Sequence, residues 1–123
     1  MSSVNLGRIG ESTVRKYLED KGYTFVAQNV HVGHDEIDLI MLDGRVTVFV
    51  EVKLRKPGVS GAEAVNLAKR RRISRAAVVY LTKTGGLDRA ARFDVAEVAF
   101  DGVHAAVHHI PDAFPLVRGR YFV

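Results

Sequence analysis

The Asp43-Gly44 dipeptide constrains the fold of this chain most, because such a pair between two apolar runs is a strong signal for a tight β-hairpin. It separates two strand-like runs, residues 36–42 and residues 45–54. Valines at positions 46, 48, 50 and 52 alternate along the second run, so they are predicted to line one buried face. The centre of the fold is therefore predicted to be an antiparallel hairpin with one apolar face.

The opposite face of this hairpin carries acids and a lysine. A two-residue Asp43-Gly44 turn predicts that Glu36 lies opposite Glu51 and Asp38 diagonal to it, with Cα atoms about 7–8 Å apart. Like charges facing across a sheet repel, so this arrangement costs stability unless a cation lies between them. Carboxylates suit Mg²⁺ or Mn²⁺, and Lys53 follows on the same face. The alternative is an exposed face that alternates charges for solubility.

Apolar periodicity and turn signals predict the remaining elements. They are a helix over 6–21, a strand over 23–29, a loop over 56–61, a helix over 62–82, and strands over 92–100 and 103–110. The second helix is long enough for a parallel crossover, which predicts an α/β fold with a mixed central sheet, flanking helices and the order α-β-β-β-α-β-β. The chain has no repeat or linker, which predicts one domain over 1–123, with the tail 111–123 docking on it.

Composition excludes several classes of protein and locates a basic segment. The chain has no cysteine, which excludes disulfides, thiolate metal sites and a cysteine nucleophile. It has neither a signal-peptide pattern nor an apolar run of about 20 residues, so a cytoplasmic protein with no membrane partner is expected. The net charge of +4 divides into +8 on residues 53–83 and −4 on the rest. Such a stripe is typical of phosphate contacts.

Six basic residues of this stripe are the candidates for nucleic-acid binding: Arg55, Lys56, Lys69, Arg70, Arg72 and Arg75. On a helical wheel, Lys69 and Arg72 interrupt the apolar face of the second helix. Either they extend to the edge of the sheet, or the first half of the helix borders the site and offers phosphate ligands. We favour the second interpretation for Lys69. Plain solvation of a helix face is the alternative for Arg70 and Arg75.

These motifs resemble a known nuclease signature, PD-(D/E)xK, in which an aspartate is followed on the next strand by Glu-x-Lys. Asp38 stands 13 residues before Glu51-Val52-Lys53. The chain is closer still to the YraN family of small bacterial proteins, which are similar to archaeal Holliday-junction resolvases. The resemblance covers nearly the whole chain. It is carried by Gly10-Glu11, residues 36–40, residues 49–55, Lys69, Ile73, Arg92-Phe93-Asp94 and Ala113-Phe114.

The resemblance implies a restriction-endonuclease-like fold and assigns roles to the site residues. Asp38 and Glu51 would be metal ligands, with the Val52 carbonyl as a third. Lys53 would be the catalytic lysine, and Glu11 an accessory acid that reaches the site from the first helix. Two positions depart from the pattern. Ile37 precedes Asp38 where a proline is common in such nucleases, and Asp35 stands where many relatives have glycine, which adds negative charge.

Three functions are compatible with these features. The first is a nuclease that uses Mg²⁺ or Mn²⁺, binds linear or branched DNA and hydrolyses a phosphodiester bond. The second is a non-catalytic nucleic-acid-binding or scaffold module with the same fold, and the third is a structural protein whose basic helix binds nothing. Resolvase-like relatives often pair, so a homodimer is one expectation. Glu11 and Glu36 belong either to the site or to the solvated surface: the assignment of Glu11 stays open, and for Glu36 we favour solvation at the end of its strand.

Overall fold

A computed structural model describes residues 3–55 and 65–117, with side chains from Leu6 onward. Its elements are α1 (Ser3–Asp20), β1 (Thr24–Val32), β2 (Asp35–Asp43), β3 (Val46–Arg55), α2 (Leu67–Thr84), β4 (Ala91–Phe100) and β5 (Ala105–Phe114). The predicted order α-β-β-β-α-β-β is confirmed.

The five strands form one mixed sheet in the order β1-β2-β3-β4-β5. Neighbouring strands are antiparallel except β3 and β4, which are parallel. A parallel pair requires a long crossover connection, and α2 lies within that connection, as the sequence predicted. The mixed α/β fold is therefore confirmed.

One helix covers each face of the sheet. Val14 and Leu18 of α1 pack against the buried Val48 and Val50 of β3, so the predicted valine face is the face under α1. On the other face, Ile73 of α2 packs in a second core with residues of β2, β3, β4 and β5. The structure thus has three layers, with the sheet in the middle.

The predicted register of the β2–β3 hairpin is wrong by two residues. Asp43 pairs with Val46, so the two-residue turn is Gly44-Arg45, with Gly44 at a φ of 60°. Glycine at the first central position is what a type II′ hairpin turn requires. Side chains alternate with a period of two, so a shift of two residues keeps the side chains of the paired residues, 39–43 and 46–50, on their predicted faces. It moves Asp38, however, from the diagonal of Glu51 to the position opposite it.

The second helix begins later than predicted. Asn66 is its N-cap, and its side-chain oxygen accepts a hydrogen bond of 2.9 Å from the Lys69 amide. Asparagine at an N-cap satisfies an amide that the helix leaves unpaired, so the helix begins at Leu67 and not at residue 62. Val65 is not helical, and residues 62–64 lie outside the described residues.

The described part of the C-terminal segment packs on the body of the protein. Strand β5 continues to Phe114, whose buried ring stacks on Phe93 at a centroid distance of 5.1 Å. Beyond the strand, the Val117 amide donates a 3.0 Å hydrogen bond to the buried Ser74 hydroxyl of α2. Residues 118–123, the rest of the predicted docking tail, lie outside the described residues.

Candidate metal centre and nucleic-acid interface

Asp38 lies where strands β2 and β3 separate. The β2–β3 ladder ends at the pair Leu39 and Val50, and beyond it the Val52 amide donates to Asp38 Oδ2 at 2.9 Å. Ile37 and Ile40 both belong to the core under α2, although strict alternation would put them on opposite faces. The alternation is therefore interrupted around Asp38, and its carboxylate takes a hydrogen bond that would normally go to the neighbouring strand.

The irregularity is shared by strand β1. Asn29 lies opposite Asp38, since the pairs on either side are Gln28 with Leu39 and Val30 with Ile37. Its φ is 53°, a left-handed conformation that asparagine tolerates better than most residues. With its amide nitrogen directed at the acids, Asn29 donates to Glu36 Oε1 at 2.9 Å and to Glu11 Oε1 at 3.2 Å. Asn29 could not be identified from the sequence, because nothing in a strand pattern indicates a single residue with a left-handed backbone conformation.

Three carboxylates meet at this point. Oxygens of Glu11, Glu36 and Asp38 lie within 4.8 Å of one another. Glu11 reaches them from α1. This helix lies close to β3 at Gly10, where an added Cβ would come within 2.7 Å of Leu54 Cδ2. Glu11 is only 8% exposed, so its carboxylate lies beside these acids and not in solvent. The carboxylate of Glu36 also lies at the site, although the residue as a whole is exposed.

Glu51 lies close enough to Asp38 for the charge of Asp38 to raise the pKa of Glu51. From the opposite face of the sheet, Lys69 of α2 places its Nζ 3.5 Å from Glu51 Oε1. We call Glu11, Glu36, Asp38 and Glu51 the acid cluster. Helix α1 contributes an acid to it, and α2 contributes the lysine.

The cluster holds protons more tightly than isolated acids do. Burial, and then the charges of Asp38 and Glu36, raise the pKa of Glu11 to about 7, against the opposing effect of Arg8. Burial and the charge of Asp38 raise the pKa of Glu51 to about 7 as well, against the effect of Lys69. Burial also raises the pKa of Asp38, although the Val52 amide and Lys69 oppose this. Near neutral pH the cluster therefore retains protons that a bound cation would displace.

Lys53 lies next to this cluster in the chain and is half-buried on β3. In the parallel β3–β4 register it pairs with Glu97 of β4, a buried acid that the sequence analysis did not identify. Glu97 contacts two other groups: Arg55 Nε at 3.8 Å and His108 Nδ1 at 3.2 Å. Between residues 3–55 and 65–117, Lys53 forms no ion pair.

The six basic candidates for nucleic-acid binding have different surroundings. Lys69 borders the acid cluster, as the favoured interpretation placed it. Arg72 is exposed, so its predicted place in the apolar face of α2 is wrong; Ile73, Ala76 and Ala77 form that face. Lys56 lies outside the described residues.

Two of the arginines are held by contacts within the protein. Arg70 donates from Nε to the Val65 carbonyl at 2.6 Å, and its guanidinium lies 5.2 Å from the centroid of the Phe114 ring. Arg75 pairs with Asp35 through hydrogen bonds of 3.0 Å from Nε and 2.9 Å from one terminal nitrogen to the same carboxylate oxygen. Plain solvation therefore does not describe these side chains, and their predicted phosphate contacts stay a prediction. Both connect α2 to the rest of the fold.

A second group of buried charges lies on the α1 side of β4 and β5. Asp94 is fully buried and accepts from Arg92 Nε at 3.0 Å, from the Asp112 amide at 2.9 Å and from His109 Nε2 at 2.7 Å. Arg92 extends further to Asp43 and to the Tyr23 hydroxyl, at 2.9 Å and 2.7 Å. Burial alone would raise the pKa of Asp94, but the bonds from His109 and Arg92 outweigh it, and the pKa is lowered. We call these residues the Asp94 network.

Comparison with known proteins is consistent with the resemblance drawn from the motifs. A family model described as "Uncharacterised protein family UPF0102", which is the YraN family, matches residues 10–98. A UPF0102 protein of Geobacter metallireducens is 43% identical over 114 residues, which cover 91% of this chain and 93% of the relative.

Two further relatives are also UPF0102 proteins. A UPF0102 protein of Chlorobium chlorochromatii is 43% identical over 121 residues, covering 92% of this chain and 93% of the relative. A UPF0102 protein of Halorhodospira halophila is 49% identical over 110 residues, covering 88% of this chain and 85% of the relative. Within the residues that the structure describes, no helix is both long enough and apolar enough to cross a bilayer.

Proposed function

Because this chain belongs to the YraN family, UPF0102, which is described as uncharacterised, we propose its function from the acid cluster itself: a metal-dependent nuclease that binds DNA and hydrolyses phosphodiester bonds. One observation carries the proposal. Two partly buried carboxylates with raised pKa values, Asp38 and Glu51, lie side by side next to Lys53 and a basic segment. Burying like charges together is costly and is characteristic of functional sites.

The residues of the cluster fit a hard divalent cation. All of the candidate ligands are oxygen atoms: the carboxylates of Glu11, Glu36, Asp38 and Glu51 and the carbonyl of Val52. Mg²⁺ and Mn²⁺ prefer such ligands, whereas Zn²⁺ sites usually include sulfur or imidazole nitrogen. Asp38 and Glu51 would hold the ion together with the Val52 carbonyl, and Glu11 and Glu36 would complete the negative surroundings. A cation there would relieve the repulsion that raises the pKa values.

The side chains in and around the cluster would have separate roles in the reaction. When bound, the cation would supply Lewis-acid activation of the phosphate and of a water molecule. The ammonium group of Lys53, which is two residues beyond Glu51, would stabilise the negative charge that develops on the phosphate. A carboxylate of the cluster, with its pKa near neutrality, would accept a proton from the attacking water.

The basic segment supports DNA as the substrate. Residues 53–83 carry a net charge of +8, and the remainder of the chain is at −4, so the positive charge is adjacent to the acids. Among the described side chains of this segment, Lys69 reaches the cluster and Arg72 is exposed on the same helix. Phosphates bound along such a segment would lie next to the cation and Lys53. Binding should weaken steeply as salt is added.

A metal titration combined with a cleavage assay tests this function. Mn²⁺ is titrated into the wild-type protein by calorimetry, and the protein is then assayed on a linear duplex and on a four-way junction. Asp38→Asn should abolish metal binding and cleavage, and Glu51→Ala should abolish cleavage. The matched control is Asp43→Asn, the same change at the other end of β2, which should leave metal binding intact.

The outcomes separate the candidate functions. If Glu51→Ala cleaves as fast as the wild-type protein, the assigned chemistry is wrong. Salt-sensitive DNA binding without cleavage in any metal would instead favour the non-catalytic module. Absence of salt-dependent DNA binding altogether would favour the structural protein.

A further inference from the structure

Lys69 occupies an unusual place at the beginning of α2. It is the third residue after the N-cap, within the first turn, and that turn has no acidic residue. The amino end of a helix carries a partial positive charge, so a lysine there is unfavourable, whereas an anion is favourable. A cost of this kind is expected to be offset by a specific partner. The partner of Lys69 is the Glu51 carboxylate, at 3.5 Å.

This contact places the lysine ammonium where it opposes the charge of the cluster. Glu51 is 10% exposed in its side chain and is already beside Asp38, so the cluster has excess negative charge. The ion pair with Lys69 reduces that excess in the absence of a metal. A divalent cation bound to Glu51 would compete directly with the ammonium group for the same carboxylate.

The geometry lets the lysine leave without unfolding the helix. Its backbone amide is fixed by the Asn66 side chain at 2.9 Å, so the start of α2 does not depend on the side chain of Lys69. The side chain is 38% exposed and has rotatable bonds throughout. A change of rotamer therefore suffices to move its ammonium group from Glu51 to a group in solvent.

We infer that Lys69 is a positioning residue that alternates between two anions: it is paired with Glu51 in the metal-free protein and transferred to a DNA phosphate when a divalent cation binds. The inference rests on the proposed function and adds to it a coupling between metal and substrate. Metal binding both neutralises the acids and releases a cation for the phosphate. The two ligands therefore favour each other's binding.

The first test is the affinity for Mn²⁺ alone. Lys69→Met removes the competing charge and keeps a good helix former, and Arg72→Met makes the equivalent change at an exposed position on the same helix. We expect Lys69→Met to bind Mn²⁺ about fivefold more tightly than the wild-type protein, since a partly buried ion pair no longer has to break. Arg72→Met should differ from the wild-type protein by less than about twofold.

The second test is DNA affinity with and without a cation, measured by the anisotropy of a labelled duplex in EDTA or in Ca²⁺. The DNA is recovered and run on a gel to verify that it is intact. In EDTA, Lys69→Met should bind DNA as the wild-type protein does, because Lys69 is then paired with Glu51. In Ca²⁺ it should bind about five- to tenfold more weakly, as expected for one lost phosphate contact. Arg72→Met should weaken binding equally in both conditions.

Each outcome bears on one of the two proposals. Unchanged or weaker Mn²⁺ binding by Lys69→Met, with normal binding by the wild-type protein, overturns the role of Lys69 and leaves the metal site standing. An equal loss of DNA affinity in EDTA and in Ca²⁺ also overturns it. If neither protein binds Mn²⁺, both proposals fail. If only Lys69→Met binds it, the competition is supported in its strongest form.

Discussion

Two groups of buried acids on the same sheet have opposite surroundings. Asp94 on β4 accepts hydrogen bonds from Arg92, His109 and a backbone amide, and its pKa is lowered. In the acid cluster, Lys69 lies 3.5 Å from Glu51 and the Asn29 amide donates to Glu11 and Glu36, and the pKa values of three of the four carboxylates are raised. The charge of Asp94 is balanced by partners within the protein. The remaining negative charge of the acid cluster would be reduced by bound protons or, in the function proposed above, by a divalent cation.

This difference separates a structural role from a functional one. Both groups contain an aspartate between apolar strand residues, Asp38 after Ile37 and Asp94 after Phe93, so residue type alone does not distinguish them. The number of positively charged side chains in contact with the acids distinguishes them. Where an arrangement of side chains lowers the stability of a fold and nothing nearby offsets the loss, it usually marks a functional site. The predictions below compare the two groups in order of decreasing effect.

The largest effect is expected from Asp94→Asn, which keeps the shape of the side chain and removes its charge. Arg92 and His109 would lose their buried anion, so the free energy of unfolding should fall by about 3–5 kcal/mol. Asp38→Asn is the matched change in the acid cluster, and it should not lower stability in EDTA because it relieves repulsion. Urea unfolding at pH 7.5 measures both. An equal loss in the two variants would contradict the comparison.

Addition of a cation should affect only the acid cluster. Mn²⁺ at about a hundred times its dissociation constant should raise the free energy of unfolding of the wild-type protein by about 2.7 kcal/mol, because it binds the native state alone. Asp38→Asn should gain nothing from the metal. Asp94→Asn, although less stable, should gain as much as the wild-type protein. A gain that persisted in Asp38→Asn would place the cation elsewhere.

The two groups should also respond to pH with opposite signs. Glu51 has its pKa raised from 4.5 to about 7, so the native state binds the extra proton and loses that advantage as pH rises through this range. The free energy of unfolding in EDTA should therefore fall between about pH 4.5 and 7, on the order of 2 kcal/mol for Glu51. Glu51→Gln should flatten this slope.

Asp94 behaves in the opposite way. Its lowered pKa means that its stabilisation is complete above its ordinary value of 3.8 and is lost as pH falls below it. Asp94→Asn should therefore leave the slope between pH 4.5 and 7 unchanged. Urea unfolding at a series of pH values in EDTA distinguishes the two contributions. A slope that survives Glu51→Gln and Glu11→Gln together would show that other groups cause it.

The face on which Asp38, Glu51 and Lys53 lie could be predicted because strand periodicity is robust. The hairpin register was wrong by two residues, yet a period of two returns each side chain to the same face. The same periodicity could not predict Asn29 at a φ of 53°, since a single left-handed residue leaves no mark on the pattern of apolar residues.

The contacts of the Asp94 network could not be predicted from the sequence for a different reason. Asp94 lies where the β4–β5 register shifts between Phe93 and Val95, and there it accepts from His109 and from the Asp112 amide. Such shifts depend on the packing of the whole sheet and not on either strand alone. The arginines of α2 illustrate the same limit. The sequence shows that Arg70 and Arg75 are basic, but Arg70 lies against the Phe114 ring and Arg75 pairs with Asp35, and both partners are far away in the chain.

The smallest effect is expected at Asn29, whose side-chain amide donates to two acids of the cluster. Asn29→Gly keeps the left-handed conformation without strain and removes the amide that donates to Glu11 and Glu36. At pH 8, where Glu11 is charged, the loss should be about 1 kcal/mol in EDTA. At pH 5, where Glu11 holds its proton, it should be smaller, because a protonated carboxyl group needs the donor less. Asn29→Ala adds a left-handed strain of about 1 kcal/mol at both pH values. An Asn29→Gly loss that is the same at pH 5 and pH 8 would mean that the amide supports the strand and does not compensate the acids.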